Sequence, residues 1–238
     1  MLNKKITMDM THGSLWNKIL MFALPLAASS ILQQLFNSVD TAVVGRFASS
    51  QALAAVGSNS SLISLMINLF IGISLGSNVV IAHYIGQKSE KNIHAAVHTA
   101  IVVAILSGVF VMILGQFIAK PVLLLMGTPE DVIDLAVLYL RIYLIGMPFI
   151  MLYDFGSSIL RSTGDSKRPL YSLIVAGIVN TVLNLILVIV FKLGVSGVAI
   201  ATVISNVVSS SIVMVILMHE SEPIRLDVRK LTIVPREL

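Results

Sequence analysis

Four polar residues, Ser29, Gln33, Asn37 and Asp40, recur at spacings of four, four and three, which places them in one stripe on a helix of 3.6 residues per turn. The stripe ends in a carboxylate, and no charged side chain stands between Ile19 and Val39. An acid held in so apolar a helix marks a functional site by default, because a buried charge is expensive and is kept where it exchanges a proton or meets a cation. Its neighbours by helical spacing are neutral amides and hydroxyls, which bond either protonation state. The competing reading places Asp40 at a hydrated helix end near Arg46.

Other stretches repeat the pattern at spacings of three or four: Ser61, Ser64 and Asn68, then Asn180 and Asn184, then Thr202 and Asn206. Any one of these faces is as well explained by hydrogen bonds that glue helices together. Several in one bundle point to a shared polar cavity, since amides left in lipid without partners are costly. Its candidate wall is Gln33, Gln34, Asn37, Ser64, Asn68 and Asn206. Tyr139, Tyr143 and Met147 share a face with Asp154 and offer either an aromatic and thioether wall or lipid-facing packing.

Pro25 removes a backbone hydrogen bond inside the first apolar stretch and is the candidate hinge. Gly72 and Gly76 form a GxxxG pair, which predicts close helix packing. Glu90, His94 and His98 have a spacing that could place metal ligands on one face. Without a third firm ligand the pattern is weak, so no metal is expected and contact with lipid headgroups is preferred. With no cysteine in the chain, thiolate metal sites and cysteine catalysis are excluded. No phosphate-cradling loop or nucleophile elbow appears, which removes the residues that ATP hydrolysis or acyl transfer needs. An enzyme is not expected, and neither is a nucleic-acid partner.

The elements that must position these residues are membrane spans. Of the 238 residues 56% are hydrophobic and 12% charged, against roughly 25% charged in soluble domains; the mean hydropathy is +0.94. Uncharged stretches of about 20 residues, enough to cross a ~30 Å hydrocarbon core, predict an all-α membrane protein with six transmembrane helices. The spans fall at about 15–39, 53–82, 93–119, 132–160, 170–191 and 195–218, followed by a charged tail over 219–238.

Lys and Arg collect on the cytoplasmic side of membrane proteins. With the N-terminus inside, six spans put Lys4, Lys5, Lys18, Lys88, Lys91, Arg161, Lys167, Arg168, Arg225, Arg229, Lys230 and Arg236 on the inner side. Arg46, Lys120, Arg141 and Lys192 fall outside, a split of twelve to four that dropping the fourth span would turn into six to ten. Both termini are therefore expected to be cytoplasmic, in a multi-pass protein of the plasma membrane. The polar start, MLNKKITMDMTH, leads into a span without a cleavage signature and is not read as a signal peptide.

Several stretches together resemble the multidrug and toxic compound extrusion (MATE) transporters: FALPLAASSILQQLFNSVDTAVVGRFAS, GSNVVIAHYIGQKSE, ILRSTGDSKRPLY and NTVLNLILVIVFKLGVSGVAIATVIS. The resemblance covers nearly the whole chain. It implies a secondary antiporter that expels organic, often cationic, compounds in exchange for protons or sodium ions, without a cofactor. Members of the family typically have twelve helices in two six-helix lobes around a central cleft. By position, Asp40 matches the first-helix aspartate implicated in coupling, Asn180 and Thr202 match its polar surroundings, and Pro25 matches the proline where the first helix bends. Asn184 stands where some members carry a second aspartate, so coupling would rest mainly on Asp40. PIRLDVRKLTIVPREL resembles the segment entering the second lobe, so the expectation is an N-terminal lobe that needs a second copy or another chain. The alternatives are a lipid or oligosaccharide flippase of the same superfamily, and a non-transporting module that pairs with full-length transporters.

Overall fold

The computed structural model describes residues 15–230 and 234. Lys4, Lys5 and Arg236, used above to orient the chain, lie outside the described residues, as do the rest of the N-terminal dozen. The described residues fold as seven α-helices: α1 (Leu15–Phe47), α2 (Ser50–Gly86), α3 (Glu90–Leu125), α4 (Ile133–Ile145), α5 (Met147–Ser162), α6 (Lys167–Leu185) and α7 (Gly194–Met218). No strand occurs among the described residues. A wider π-helical turn, Ile186–Val190, extends α6.

Among the described residues five helices are each long and apolar enough to cross a membrane, and α4 with α5, bent by 47°, is long and apolar enough to make a sixth span as a pair. The stretch 132–160 is thus not the single helix expected from its composition. Gly146 ends α4 and Pro148 stands in the first turn of α5. A proline there has no amide proton to continue the ladder of α4, whereas the start of a helix tolerates it. The bend also meets α3 at close range: a Cβ on Gly108 would lie 2.5 Å from Pro148 Cα.

Local chemistry sets several helix ends. Ser49 Oγ accepts the Ala52 N–H at 3.1 Å and caps α2. Gly164, at φ +83°, makes the left-handed turn that leads into α6. Asp165 then accepts the N–H groups of Lys167 at 3.0 Å and Arg168 at 3.2 Å, and its other oxygen pairs with the Arg168 side chain, which also binds Glu220 beyond α7.

Helix α5 is the centre of the core, with eleven of its 16 residues buried and with α3, α7 and α2 packed around it. Polar stitches join its neighbours, as expected where backbone and amide groups have no water to turn to. Asn59 donates to the Ala136 carbonyl at 3.0 Å between α2 and α4. Asn78 donates to the Ser158 carbonyl at 2.8 Å, and Ser158 Oγ donates to the Ser74 carbonyl at 2.5 Å, both between α2 and α5.

Close packing does not fall where the GxxxG pair predicted it. Gly72 and Gly76 have no atom within 4 Å of a built Cβ, because the face of α2 that carries them is exposed. The close approach is made at Gly108 and at Gly177, where a Cβ would overlap the Phe36 ring and so hold α1 away from α6.

The tail docks on the bundle. The Leu226 N–H donates to the Leu217 carbonyl at 3.0 Å, the Asp227 N–H to His98 Nε2 at 3.2 Å, and the Val234 N–H to Thr99 Oγ1 at 3.1 Å. Since Nε2 accepts, the His98 proton sits on Nδ1, which donates to the His94 carbonyl at 2.8 Å. His98 is buried and its ring stacks on His94 with centroids 3.9 Å apart. Headgroup contact is therefore corrected for His98: backbone of the tail takes up its polar edge. Glu90 is exposed, and no group of three metal-ligating side chains forms among the described residues.

Candidate functional site

A cleft of about 450 Å³ opens among α1, α2, α4, α5, α6 and α7, within the range that holds a drug-sized molecule. It gathers most of the polar faces read from the sequence: Gln33, Gln34, Asn37 and Asp40 from α1, Ser64 and Asn68 from α2, Tyr143 from α4, Asn180 from α6, and Thr202 and Asn206 from α7. Asp154 of α5 also lines it. Among the described residues the cleft thus carries two carboxylates, and no Lys or Arg lines it.

Some expected wall residues stand elsewhere. Ser29 is buried with its hydroxyl donating to the Pro25 carbonyl at 2.8 Å, and Ser30, one position round the helix, faces the cleft instead. Tyr139 is buried outside the lining, its ring centroid 6.1 Å from that of Tyr143. Both tyrosines are covered by neighbouring helices, so neither packs against lipid. Met147 lies fully in the core and Ser61 is exposed away from the cleft. Phe36, Tyr153, Ser205 and Ser209 line the cleft without having been singled out. The last two were findable, because Thr202, Ser205, Asn206 and Ser209 continue one face at spacings of three and four.

Asp40 is 7% exposed and held by two hydrogen-bonded groups. Asn184, fully buried beneath it, donates its amide to Oδ1 and a second hydrogen bond to Asn180 Oδ1 at 3.1 Å. Thr202 Oγ1 lies 3.3 Å from Oδ2, 3.0 Å from the Val198 carbonyl and 3.4 Å from Asn180 Nδ2. One hydroxyl proton cannot serve Asp40 and Val198 together. An ionised Asp40 takes that proton; a protonated Asp40 donates to the hydroxyl, which then turns to Val198. The site satisfies both forms of the acid by rotating one hydroxyl. Asn184 Oδ1 remains a buried acceptor without a donor.

Asp154 differs. It is 9% exposed, its Oδ2 is buried without a hydrogen-bond partner, and it forms no ion pair among the described residues. Arg161 stands two turns further along α5 and makes no ion pair with it among the described residues. Tyr153 beside it donates to the Pro169 carbonyl at 3.3 Å in the first turn of α6, whereas Asn184 binds Asp40 from the far end of that helix. About 20 Å of helix separates Pro169 from Asn184, so the two acids stand at different levels of one cleft.

Apolar spans wrapped around a polar, acid-bearing cleft define a multi-pass helical membrane protein. The MatE family model matches residues 25–186. The chain belongs to that family. It is 37% identical over 226 residues to the probable multidrug resistance protein YoeA of Bacillus subtilis (strain 168), a match covering 93% of this chain and 49% of that protein. The probable multidrug resistance protein YpnP of the same organism is 29% identical over 198 residues, covering 83% of this chain and 44% of YpnP. A crystal structure of MATE in the bent conformation matches the fold with a TM-score of 0.87 at 25% identity, covering 94% of this chain and 50% of that one. The chain spans about half the length of the curated relatives it matches, as the likeness to a single six-helix lobe led one to expect.

Proposed function

We propose that this lobe is half of a MATE-type antiporter that exports organic, often cationic, compounds across the plasma membrane in exchange for a proton or a sodium ion. The observation that carries the reading is the Asp40 site: a buried acid, bonded to Asn184 and Thr202, at one level of a cleft large enough for a drug. The relatives' designation as multidrug resistance proteins supports the substrate class.

In this reading Asp40 carries the coupling ion. Proton uptake is accommodated by the Thr202 hydroxyl turning to Val198. A sodium ion would find Asp40, Asn180 Oδ1 and the unpartnered Asn184 Oδ1 as oxygen donors. Helix α1 then moves about Pro25, whose missing N–H leaves the Met21 carbonyl without its helical partner, and the volume between α1 and α6 changes. Entry of one charge down an inside-negative potential of 100 mV supplies ~2.3 kcal/mol. The transport path is completed by a second lobe, since the chain spans about half the length of the relatives it matches.

The test is ethidium movement in everted membrane vesicles holding the chain in its assembled form, energised by a pH gradient alone and then by a sodium gradient alone. Efflux driven by one gradient and lost in Asp40→Asn is the expected result. Equal gradient-driven efflux by the Asp40→Asn variant overturns the assignment.

A further inference from the structure

We propose that Asp154 is the recognition point for the cationic group of the exported compound, separate from the ion site at Asp40; this rests on the transport reading above. The two acids differ in what already surrounds them. Both oxygens of Asp40 are engaged, Oδ1 by the Asn184 amide and Oδ2 by the Thr202 hydroxyl. Those partners are small, adjustable and close, which suits a proton or a bare ion.

Asp154 has no hydrogen-bond donor on either oxygen among the described residues, although nine-tenths of it is buried and it lines the cleft. An uncompensated carboxylate in an apolar setting is expensive, and a cation without its own hydration shell is the partner that relieves it. Arg161 stands two turns away on the same helix and makes no ion pair with Asp154 among the described residues.

The surroundings fit an organic cation better than a metal ion. Tyr143 and Tyr153 line the cleft on either side in sequence of Ile150, and Leu173 faces them from α6. Aromatic rings attract weakly hydrated cations through their faces, and apolar walls complement their carbon substituents. A metal ion needs several oxygen ligands, and no group of three ionisable ligand side chains forms among the described residues.

Separation by level has a consequence for exchange. Asp40 sits at the α6 terminus that carries Asn184, and Asp154 sits beside the residue that reaches Pro169 at the other terminus. Substrate and coupling ion can then occupy the cleft together and influence each other through the position of α1, without competing for one carboxylate.

The test is equilibrium binding of tetraphenylphosphonium to the full chain in lipid nanodiscs, with triphenylphosphine oxide as a neutral probe of similar shape. Asp154→Asn should weaken tetraphenylphosphonium at least tenfold and leave the neutral probe unchanged. Asp154→Glu, which keeps the charge, should restore most of the affinity and shows that the fold is intact. Asp40→Asn should weaken the cation by less than threefold. Tetraphenylphosphonium binding that is indifferent to Asp154→Asn, or more sensitive to Asp40→Asn, overturns the inference alone. A wild-type chain that binds neither probe overturns the transport reading and the inference with it.

Discussion

Helices α1 and α5 each give one acid to the same cleft, yet they are built in opposite ways. Of the described side chains of α1, only Ser29, Asp40, Val43 and Val44 are buried, along a helix of 33 residues with a proline inside it. Helix α5 is half as long and has eleven of 16 residues buried, stitched to α2 by Asn78 and Ser158. A lightly anchored helix can move while its acid changes partners, and a heavily anchored one can hold its acid still. In the proposed mechanism α1 is therefore the wall that moves and α5 the wall that holds the reference geometry.

The largest effect should come from the acid on the mobile wall. Asp40→Asn keeps the size of the side chain and removes its exchangeable charge, so gradient-driven ethidium efflux should fall by more than about tenfold, in keeping with the role of intramembrane acids. The chain's unfolding midpoint in detergent should scarcely change, because α1 contributes little to the core. A large loss of stability would mean that α1 is anchored as firmly as α5, and the contrast would fail.

Glycine substitutions sharpen the same comparison. Gly108→Val sets branched carbon against the Pro148 backbone at the start of α5, where nothing can yield, and overpacking of this kind costs about 1–3 kcal/mol. Gly177→Ala meets first the Phe36 ring of α1, which can swing away with its helix. Its unfolding free energy should change by under about 1 kcal/mol, the low end for overpacking, while ethidium efflux slows severalfold. Equal destabilisation by both, measured by unfolding in mixed micelles, would remove the distinction between the walls.

These partners were the part of the fold that the sequence could not display. The spans and polar faces were legible, because an apolar helix holds few polar side chains and their spacing shows which side they share. Asp40, Asn37 and Asn180 were found that way. The bend at Gly146 was obscured by the uncharged run 142–153 around it, although Pro148 was in view. Gly72 and Gly76 had the spacing of a packing motif and no partner, whereas Gly108 and Gly177 lack the motif and have partners; a glycine's use depends on which helix lies opposite. The docking of the tail on His98 and Thr99 was hidden for a simpler reason. Its donors are backbone N–H groups at Asp227 and Val234, and every residue but proline has one.

Pro25 tests the mobility of α1 directly. Pro25→Ala returns an N–H to the Met21 carbonyl and replaces a residue about 3 kcal/mol less favourable than alanine in a helix interior. Amide hydrogen exchange across the turn from Leu26 to Ser29 should slow, and ethidium efflux should fall severalfold with it. Slowed exchange with undiminished efflux would show that α1 moves as a rigid rod about another point.

The smallest effect is also the cleanest measure of anchoring. Ser158 and Ser38 are both serines in apolar helices whose hydroxyls donate to a carbonyl. Ser158 of α5 reaches across to Ser74 of α2 at 2.5 Å, whereas Ser38 of α1 turns back to Gln34 of its own helix at 2.9 Å. A hydrogen bond between membrane helices is worth about 0.6 kcal/mol on average, and one within a helix turn adds nothing to the attachment of that helix. Ser158→Ala should therefore lower the unfolding free energy in mixed micelles by about 0.6 kcal/mol, and Ser38→Ala should leave it within error. If the two substitutions weigh the same, the cross-helix bond contributes no more than a bond within one turn, and the firmness of the α5 wall comes from its packed side chains alone.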